Sequence, residues 1–401
     1  MSDVRRIYLI QAVRAFLYGF SSILIGASLA AGGLDEAAVG AVFTAMLLGM
    51  AISSLSVGRW GEALGRRRTY VGLLAIMGVA GTVFALTGSV PLLVIAALTG
   101  TLSTDPNESG PITTVEQAML ASTPAHERSQ VYGRYNAVAY LAGAAGALAA
   151  GGPSALRDVL PGIPPDQRWL LLMPIGAAIC VMLAARLGTR VEVASDLPVG
   201  QRGLQRSRGV VRRLAGLFSI DAFAGGFIVQ SFMVFWFGRQ FGADVELMGL
   251  VFFGVGVLQA GSSIAAGWLA ARIGLLNTMV FTHLPSNVLL ALIPFAPSLL
   301  WAVLLLLARS VLSQMDVPAR QAYVAALVDP AEETAAAGYT NAARHVVRPA
   351  GPALASLSMG MAAGLPFLIA GGLKAVYDVA LYVTFRRVRL ADDDPPPTQP
   401  S

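Results

Sequence analysis

Ionisable side chains sit inside apolar runs of this sequence, where a charge costs about 3 kcal/mol to insert and persists only if it pairs, meets water or moves a proton. The acids are Asp105, Glu108, Glu116, Asp221 and Asp316, and the bases are Arg14, Arg309, Arg320, Arg344 and Arg348. Asp105 and Glu108 are three apart, so a helix through them carries both carboxyls on one face. A carboxyl pair at membrane depth can take up a proton on one side and release it on the other. Glu108 is the first candidate for that role, Asp105 the second and Asp221 the third. The competing reading makes each acid half of a structural ion pair. Depth allows specific pairs, since Arg14 lies about 10 Å into its run at 1.5 Å per residue. Arg14 can meet Glu108 or Glu116, while Asp221 or Asp316 can meet Arg320, Arg344 or Arg348. Such pairs are expected to close one side of the molecule.

Other reactive residue types point nowhere. Lys374 and Asp378, four apart, read as a structural pair. His283, beside Pro285 and Asn287, can titrate near neutral pH, yet is as readily a hydrogen-bonded packing residue. His345 beside Arg344 is a weaker candidate, and His126 falls in a loop. Three scattered histidines and the lone Cys180 make neither a metal site nor an intrachain disulfide. No phosphate-binding glycine loop and no Ser/His/Asp arrangement is present, so no cofactor and no enzymatic activity are expected.

The elements that must hold these residues are membrane helices. The chain is 55% hydrophobic and 13% charged, with mean hydropathy +0.66, far from a soluble domain. Runs long enough to cross a bilayer of about 30 Å fall at 7–30, 38–58, 69–88, 91–119, 131–152, 167–187, 213–237, 246–267, 277–296, 298–326, 337–361 and 365–385. The start, Met1 to Arg6 before an apolar run, mimics a signal peptide but is read as an uncleaved first helix. The expected organisation is an N-terminal half 1–187, a polar linker 188–212, a C-terminal half 213–390 and a disordered tail 391–401. In the fourth run, Thr104-Asp105-Pro106-Asn107-Glu108-Ser109-Gly110-Pro111 is expected to be a kinked helix rather than a loop.

Every basic residue but Lys374 is arginine, and they crowd the loops of one side. The opposite loops carry only Arg157, Arg168 and Arg239, so both termini are expected in the cytoplasm. The net charge of +5 belongs to these loops and does not indicate nucleic-acid binding.

The halves repeat. Arg14-Ala15-Phe16-Leu17-Tyr18-Gly19-Phe20 recurs as Asp221-Ala222-Phe223-Ala224-Gly225-Gly226-Phe227. Gly40, Gly58 and Gly65 recur 209 residues later at Gly249, Gly267 and Gly274. Pro111 recurs at Pro318, Gly133-x-x-Asn136 at Gly338-x-x-Asn341, and Gly146 at Gly351. Between the second and third runs lies Gly58-Arg59-Trp60-Gly61-Glu62-Ala63-Leu64-Gly65-Arg66-Arg67-Arg68. This stretch resembles the loop of the major facilitator superfamily, Gly-x-x-x-Asp-(Arg/Lys)-x-Gly-(Arg/Lys)-(Arg/Lys), with Glu62 for the aspartate and Ala63 where a base is common. The resemblance covers the whole chain. It implies an all-α integral membrane protein of 12 transmembrane helices in two pseudo-symmetric six-helix halves. It also implies that helices 1, 4, 7 and 10 line a central cavity and that Glu62 caps or pairs near the inner ends of helices 4 and 11, with Arg128 as a partner.

Drug–proton antiporters of that superfamily carry Gly-x-x-x-Gly-Pro-x-x-Gly-Gly in helix 5. Gly143-Ala144-Ala145-Gly146-Ala147-Leu148-Ala149-Ala150-Gly151-Gly152 keeps the glycines without the proline, which appears instead in Gly351-Pro352. Phe16, Tyr18, Phe20, Phe223, Phe227, Phe232, Met233, Phe235 and Trp236 on the cavity helices would suit an amphipathic organic solute, or simply pack. The expectation is a monomeric secondary active transporter of the inner or plasma membrane, exporting small organic molecules against protons. A second reading is a carrier of organic acids or oxyanions, clamped by Arg14, Arg320, Arg344 or Arg348. A third, from another class, is a transport-dead receptor or scaffold.

Overall fold

The computed structural model describes residues 2–103, 110–120, 125–160, 162, 164–188, 191, 206–328 and 332–388. Three long helices open the first half: α1 (Asp3–Ala31), α2 (Glu36–Leu64) and α3 (Arg66–Leu86). The fourth crossing is shared by α4 (Val90–Ala97) and α5 (Pro111–Leu120), and α6 (Ala125–Ala149) makes the fifth. A short α7 (Gly152–Val159) and a tight turn at Asp166–Leu171 lead into α8 (Leu172–Ala185). The second half follows the same order. It consists of α9 (Arg208–Gly226) with α10 (Gln230–Phe241), α11 (Val245–Ile273), α12 (Leu275–Leu292), α13 (Leu299–Leu312) with α14 (Asp316–Leu327), α15 (Glu333–Val347) with α16 (Ala350–Met361), and α17 (Leu365–Phe385).

Among the described residues, nine helical stretches are long and apolar enough to cross a membrane. The fourth, fifth and eleventh crossings complete the twelve; the fourth and eleventh are broken, and the fifth begins with polar residues. Val79, Ile95, Ile264 and Val383 are exposed on the outside of the bundle, which water would penalise and lipid does not. Helix α9 starts at Arg208, before the 213 expected, because the buried Glu332 carboxylate accepts the backbone N–H groups of Arg206 and Ser207 at 3.0 and 2.9 Å. A carboxylate at a helix start satisfies orphan donors and complements the helix dipole.

The fourth crossing is interrupted earlier than a proline kink requires. Helix α4 ends at Ala97, and Thr101, Ser103 and Gly110 are not helical, so the expected continuous kinked helix is a broken one. Gly100 takes φ +69°, and a Cβ there would lie 2.2 Å from the Gly49 carbonyl oxygen of α2. The break lets α2 come this close, and the freed carbonyls find donors. The Tyr18 hydroxyl donates to Thr101 O at 2.7 Å, and that of Ser53 to Thr99 O at 2.9 Å. Hydroxyls that re-satisfy an opened backbone are what a membrane interior requires. Residues 104–109, with Asp105 and Glu108, lie outside the described residues.

One glycine crossing is used twice. Cβ atoms on Gly19 and Gly146 would lie 2.0 and 1.9 Å from backbone oxygens of Gly143 and Phe16, which fixes α1 against α6. The repeat-related Gly226 and Gly351 meet in the same way, with a Cβ on Gly351 2.5 Å from Gly226 Cα. The helix-5 glycines therefore have a packing reason that is independent of transport direction.

Candidate functional site

Two buried polar clusters occupy corresponding places in the two halves. In the first, Arg14 of α1 donates to Glu116 Oε2 of α5 at 2.6 Å and also to Gln11 Oε1 and, at 3.2 Å, to the Tyr135 hydroxyl. Glu116 accepts further hydrogen bonds from Tyr70 at 2.6 Å and from Tyr135. The side chains of Arg14 and Glu116 are 2% and 0% exposed, so the pair is sealed. Four elements, α1, α3, α5 and α6, are tied to one carboxylate, both of whose oxygens accept hydrogen bonds. A group so satisfied holds a half-bundle together.

The second cluster is built on Asp221 of α9. Its Oδ1 accepts Lys374 Nζ of α17 at 2.5 Å, and its Oδ2 accepts Arg344 of α15 at 3.1 Å and Arg320 of α14 at 3.4 Å. Arg320 also donates to Asp316 at 3.0 Å. His283 Nε2 of α12 lies 3.9 Å from Asp221 Oδ1, while its Nδ1 lies 2.9 Å from Asp378 Oδ1. Asn287 donates to the other Asp378 oxygen at 2.8 Å. Unlike the first cluster, this one is open at an edge, for the Arg344 side chain is 25% exposed against 5% for Asp221.

Sequence position relates the clusters with their charges inverted. Asp221 stands 207 residues after Arg14, the same displacement that takes Pro111 to Pro318. In the first half a base on the opening helix meets an acid on the fourth crossing; in the second an acid meets a base, Arg320, on the tenth.

The sequence profile of the Major Facilitator Superfamily matches residues 7–352. The chain belongs to the Major Facilitator Superfamily. An uncharacterised membrane protein of Saccharomyces cerevisiae, YJR124C, is 25% identical over 423 residues, covering 96% of this chain and 94% of the relative. The fold is similar to that of the inward-open xylose transporter XylE from E. coli, with TM-score 0.71 and 15% identity over 98% of both chains. It is also similar to the nucleoside transporter NupG, with TM-score 0.67 and 14% identity over 96% of this chain and 100% of that one. The human organic anion transporter MFSD10 aligns with TM-score 0.60 and 18% identity over 95% of this chain and 100% of that one.

Several superfamily expectations are altered by the geometry. Helix α17 sends Lys374 into the Asp221 cluster, while Asp378 turns to His283 and Asn287, so the two do not form the expected mutual pair. In the 2–3 loop, Gly65 takes φ +87° at the turn, while a Cβ on Gly58 would meet nothing within 4 Å. Arg66 Nη1 donates to Ala118 O at 3.2 Å, in the last turn of α5, and Arg67 Nη1 to Leu187 O at 3.1 Å, beyond the end of α8. Cations there complement helix C-termini. Arg68 is exposed, and the side chains of Glu62 and Arg128 lie outside what is described. Arg348 stands one turn beyond Arg344, its carbonyl oxygen 2.4 Å from a Cβ built on Gly226. Phe232, Phe235 and Trp236 are packed at 0–1% exposure, the last donating to Ala363 O at 2.6 Å, while Phe16 and Phe223 remain half-buried.

Sequence reasoning did not find Tyr70 and Tyr135 as partners of Glu116, or Glu332 as the cap of α9. A tyrosine in an apolar run has no spacing that announces its partner.

Proposed function

We propose that this chain is a proton-coupled secondary transporter that exports small organic molecules by alternating access, with Asp221 as its proton-linked acid. The observation that carries this reading is the convergence of Lys374, Arg344, Arg320 and His283, from four other crossings, on one carboxylate. Nearby cations favour the carboxylate, so proton uptake at Asp221 goes together with withdrawal of Lys374, Arg344 and Arg320 from it. Helices α14, α15 and α17 are then released from α9 at one stroke, a change large enough to bias two arrangements of a bundle. Glu116 is the structural counterpart, being sealed and hydrogen-bonded at both oxygens. Asp105 and Glu108 are assigned a second proton-binding role on the fourth crossing, from their spacing alone. Asp316 holds Arg320 ready when Asp221 is neutral.

We place both termini in the cytoplasm of an inner or plasma membrane, on the arginine asymmetry of the loops, and expect a monomer to suffice. XylE, NupG and MFSD10 are named for a sugar, nucleosides and organic anions, so shared fold leaves the cargo open. A clamp made of Arg14, Arg320 or Arg344 finds less support, because these three are already engaged by carboxylates.

The test is proton movement in proteoliposomes with an imposed pH gradient, against lipophilic cations, neutral drugs and anions. Wild type is expected to dissipate the gradient when an organic solute is added, Asp221→Asn to bind solute without moving protons, and Glu108→Gln to be impaired. Solute flux that ignores the gradient in wild type, or coupling retained in Asp221→Asn, would sink the assignment.

A further inference from the structure

Arg309 is a buried base that neither cluster uses. It lies ten residues into α13, about 15 Å along the helix and so near the middle of a bilayer. It is 8% exposed and shares the inward face of α13 with Ala302, Leu306 and Ser310. Its Nε is sealed from solvent without an acceptor, and no carboxylate or carbonyl among the described residues accepts a hydrogen bond from its guanidinium. Its own backbone carbonyl is occupied, accepting the Ser286 hydroxyl of α12 at 3.2 Å. The stripe of Arg309 continues through Ser313 to Asp316 and Arg320 of α14, the edge of the Asp221 cluster.

An uncompensated guanidinium at this depth is costly unless something brings it a negative charge. Arg14, Arg320 and Arg344 each have that charge from the protein; among the described residues no carboxylate pairs with Arg309. We propose that Arg309 receives the anionic group of the transported solute, and that the solute is a small organic monoanion. This rests on the reading of the chain as a transporter of small organic molecules and names the class. A single guanidinium balances one negative charge, which favours a monoanion over a dianion. The planar fork of a guanidinium matches a carboxylate in two parallel hydrogen bonds. The neighbouring Ala302 and Leu306 offer no donors, and the Ser310 and Ser313 hydroxyls donate to carbonyls of their own chain segment, so a strongly hydrated inorganic ion would lose more water than it regains.

The purified full-length protein is melted by intrinsic fluorescence at matched ionic strength with sodium benzoate, sodium octanoate, their uncharged amides, or sodium phosphate. The expected result is stabilisation by a carboxylate probe, none by its amide, and at least tenfold weaker carboxylate affinity in Arg309→Met. The same variant without ligand is expected to melt higher than wild type, since an unpaired buried charge has been replaced by an apolar side chain. A lower ligand-free melting point in Arg309→Met would mean that the arginine holds the fold, and overturns the proposal. So would equal effects of carboxylate and amide, no effect of either carboxylate, or stabilisation by phosphate alone. Should Arg309→Met fail to express, Arg309→Gln carries the same comparison. Binding needs no gradient, so loss of proton coupling with this binding intact would remove the coupling reading and leave the solute class standing.

Discussion

At the scale of single residues, the Arg14–Glu116 pair and the Asp221 cluster use the same side-chain types for different ends. Breaking a buried ion pair by removing one partner costs about 3–5 kcal/mol, because a charge is left uncompensated, whereas replacing both partners by apolar groups is often neutral. Arg14→Met and Glu116→Gln are each expected to lower the melting temperature sharply and reduce the folded yield. The double variant Arg14→Met/Glu116→Leu should recover most of the loss; it would not if either residue also bound the solute or a proton. Solute-dependent proton movement should return in the double variant, separating this pair from Asp221. The pairing itself was legible, because depth along a run of known rise restricts which acid a base can meet. The branching at Asp221 was not. Spacing of four shows that Lys374 and Asp378 share a face, but not that α9 and α12 lie across from that face and offer each a better partner.

At the scale of elements, the bundle is shaped where backbones touch. Gly146→Leu places a side chain into the Phe16 carbonyl, where even a Cβ would stand at 1.9 Å, so α1 and α6 must separate. That variant is expected to lose folded protein outright. Gly100→Ala should be nearly as harmful, combining a φ of +69° with a Cβ 2.2 Å from Gly49 O. Gly58→Ala should express and melt like wild type, since nothing lies within 4 Å of the added atom. Yield and melting point of the three separate packing glycines from loop glycines. The twelve crossings were readable because lipid demands long apolar helices and leaves little else possible. The break after Ala97 was not, because it falls where Gly100 packs on Gly49 of another helix, a contact that nothing in the local sequence marks. The Glu332 cap of α9 escaped notice for the same reason, lying more than 120 residues away in sequence.

At the scale of the whole molecule, the halves close on each other at the end opposite the N-terminus and the 2–3 loop. A Cβ on Gly26 would lie 2.4 Å from Ser231 O, one on Gly249 2.6 Å from Ala147 O, and one on Gly40 2.6 Å from the Ser356 side chain. Gln230 donates to Ser22 at 2.9 Å, and Arg239 pairs with Glu36 at 3.2 Å. Both ion clusters, in contrast, lie within single halves and set the shape of each half. Alternating access then requires this glycine-lined seam to open while each half stays intact, apart from the release at Asp221. A cross-link over the seam is the direct test. Cys180 is buried, so cysteines placed at Glu36 and Arg239 are the accessible thiols for a bifunctional reagent. Joining them is expected to stop solute-driven proton movement while benzoate binding to the solubilised protein persists. Reduction of a cleavable linker should restore transport. Transport that continues across an intact cross-link would show that the seam is not a gate, and the solute path would then have to run within one half, where the Asp221 cluster already reaches toward open space through Arg344.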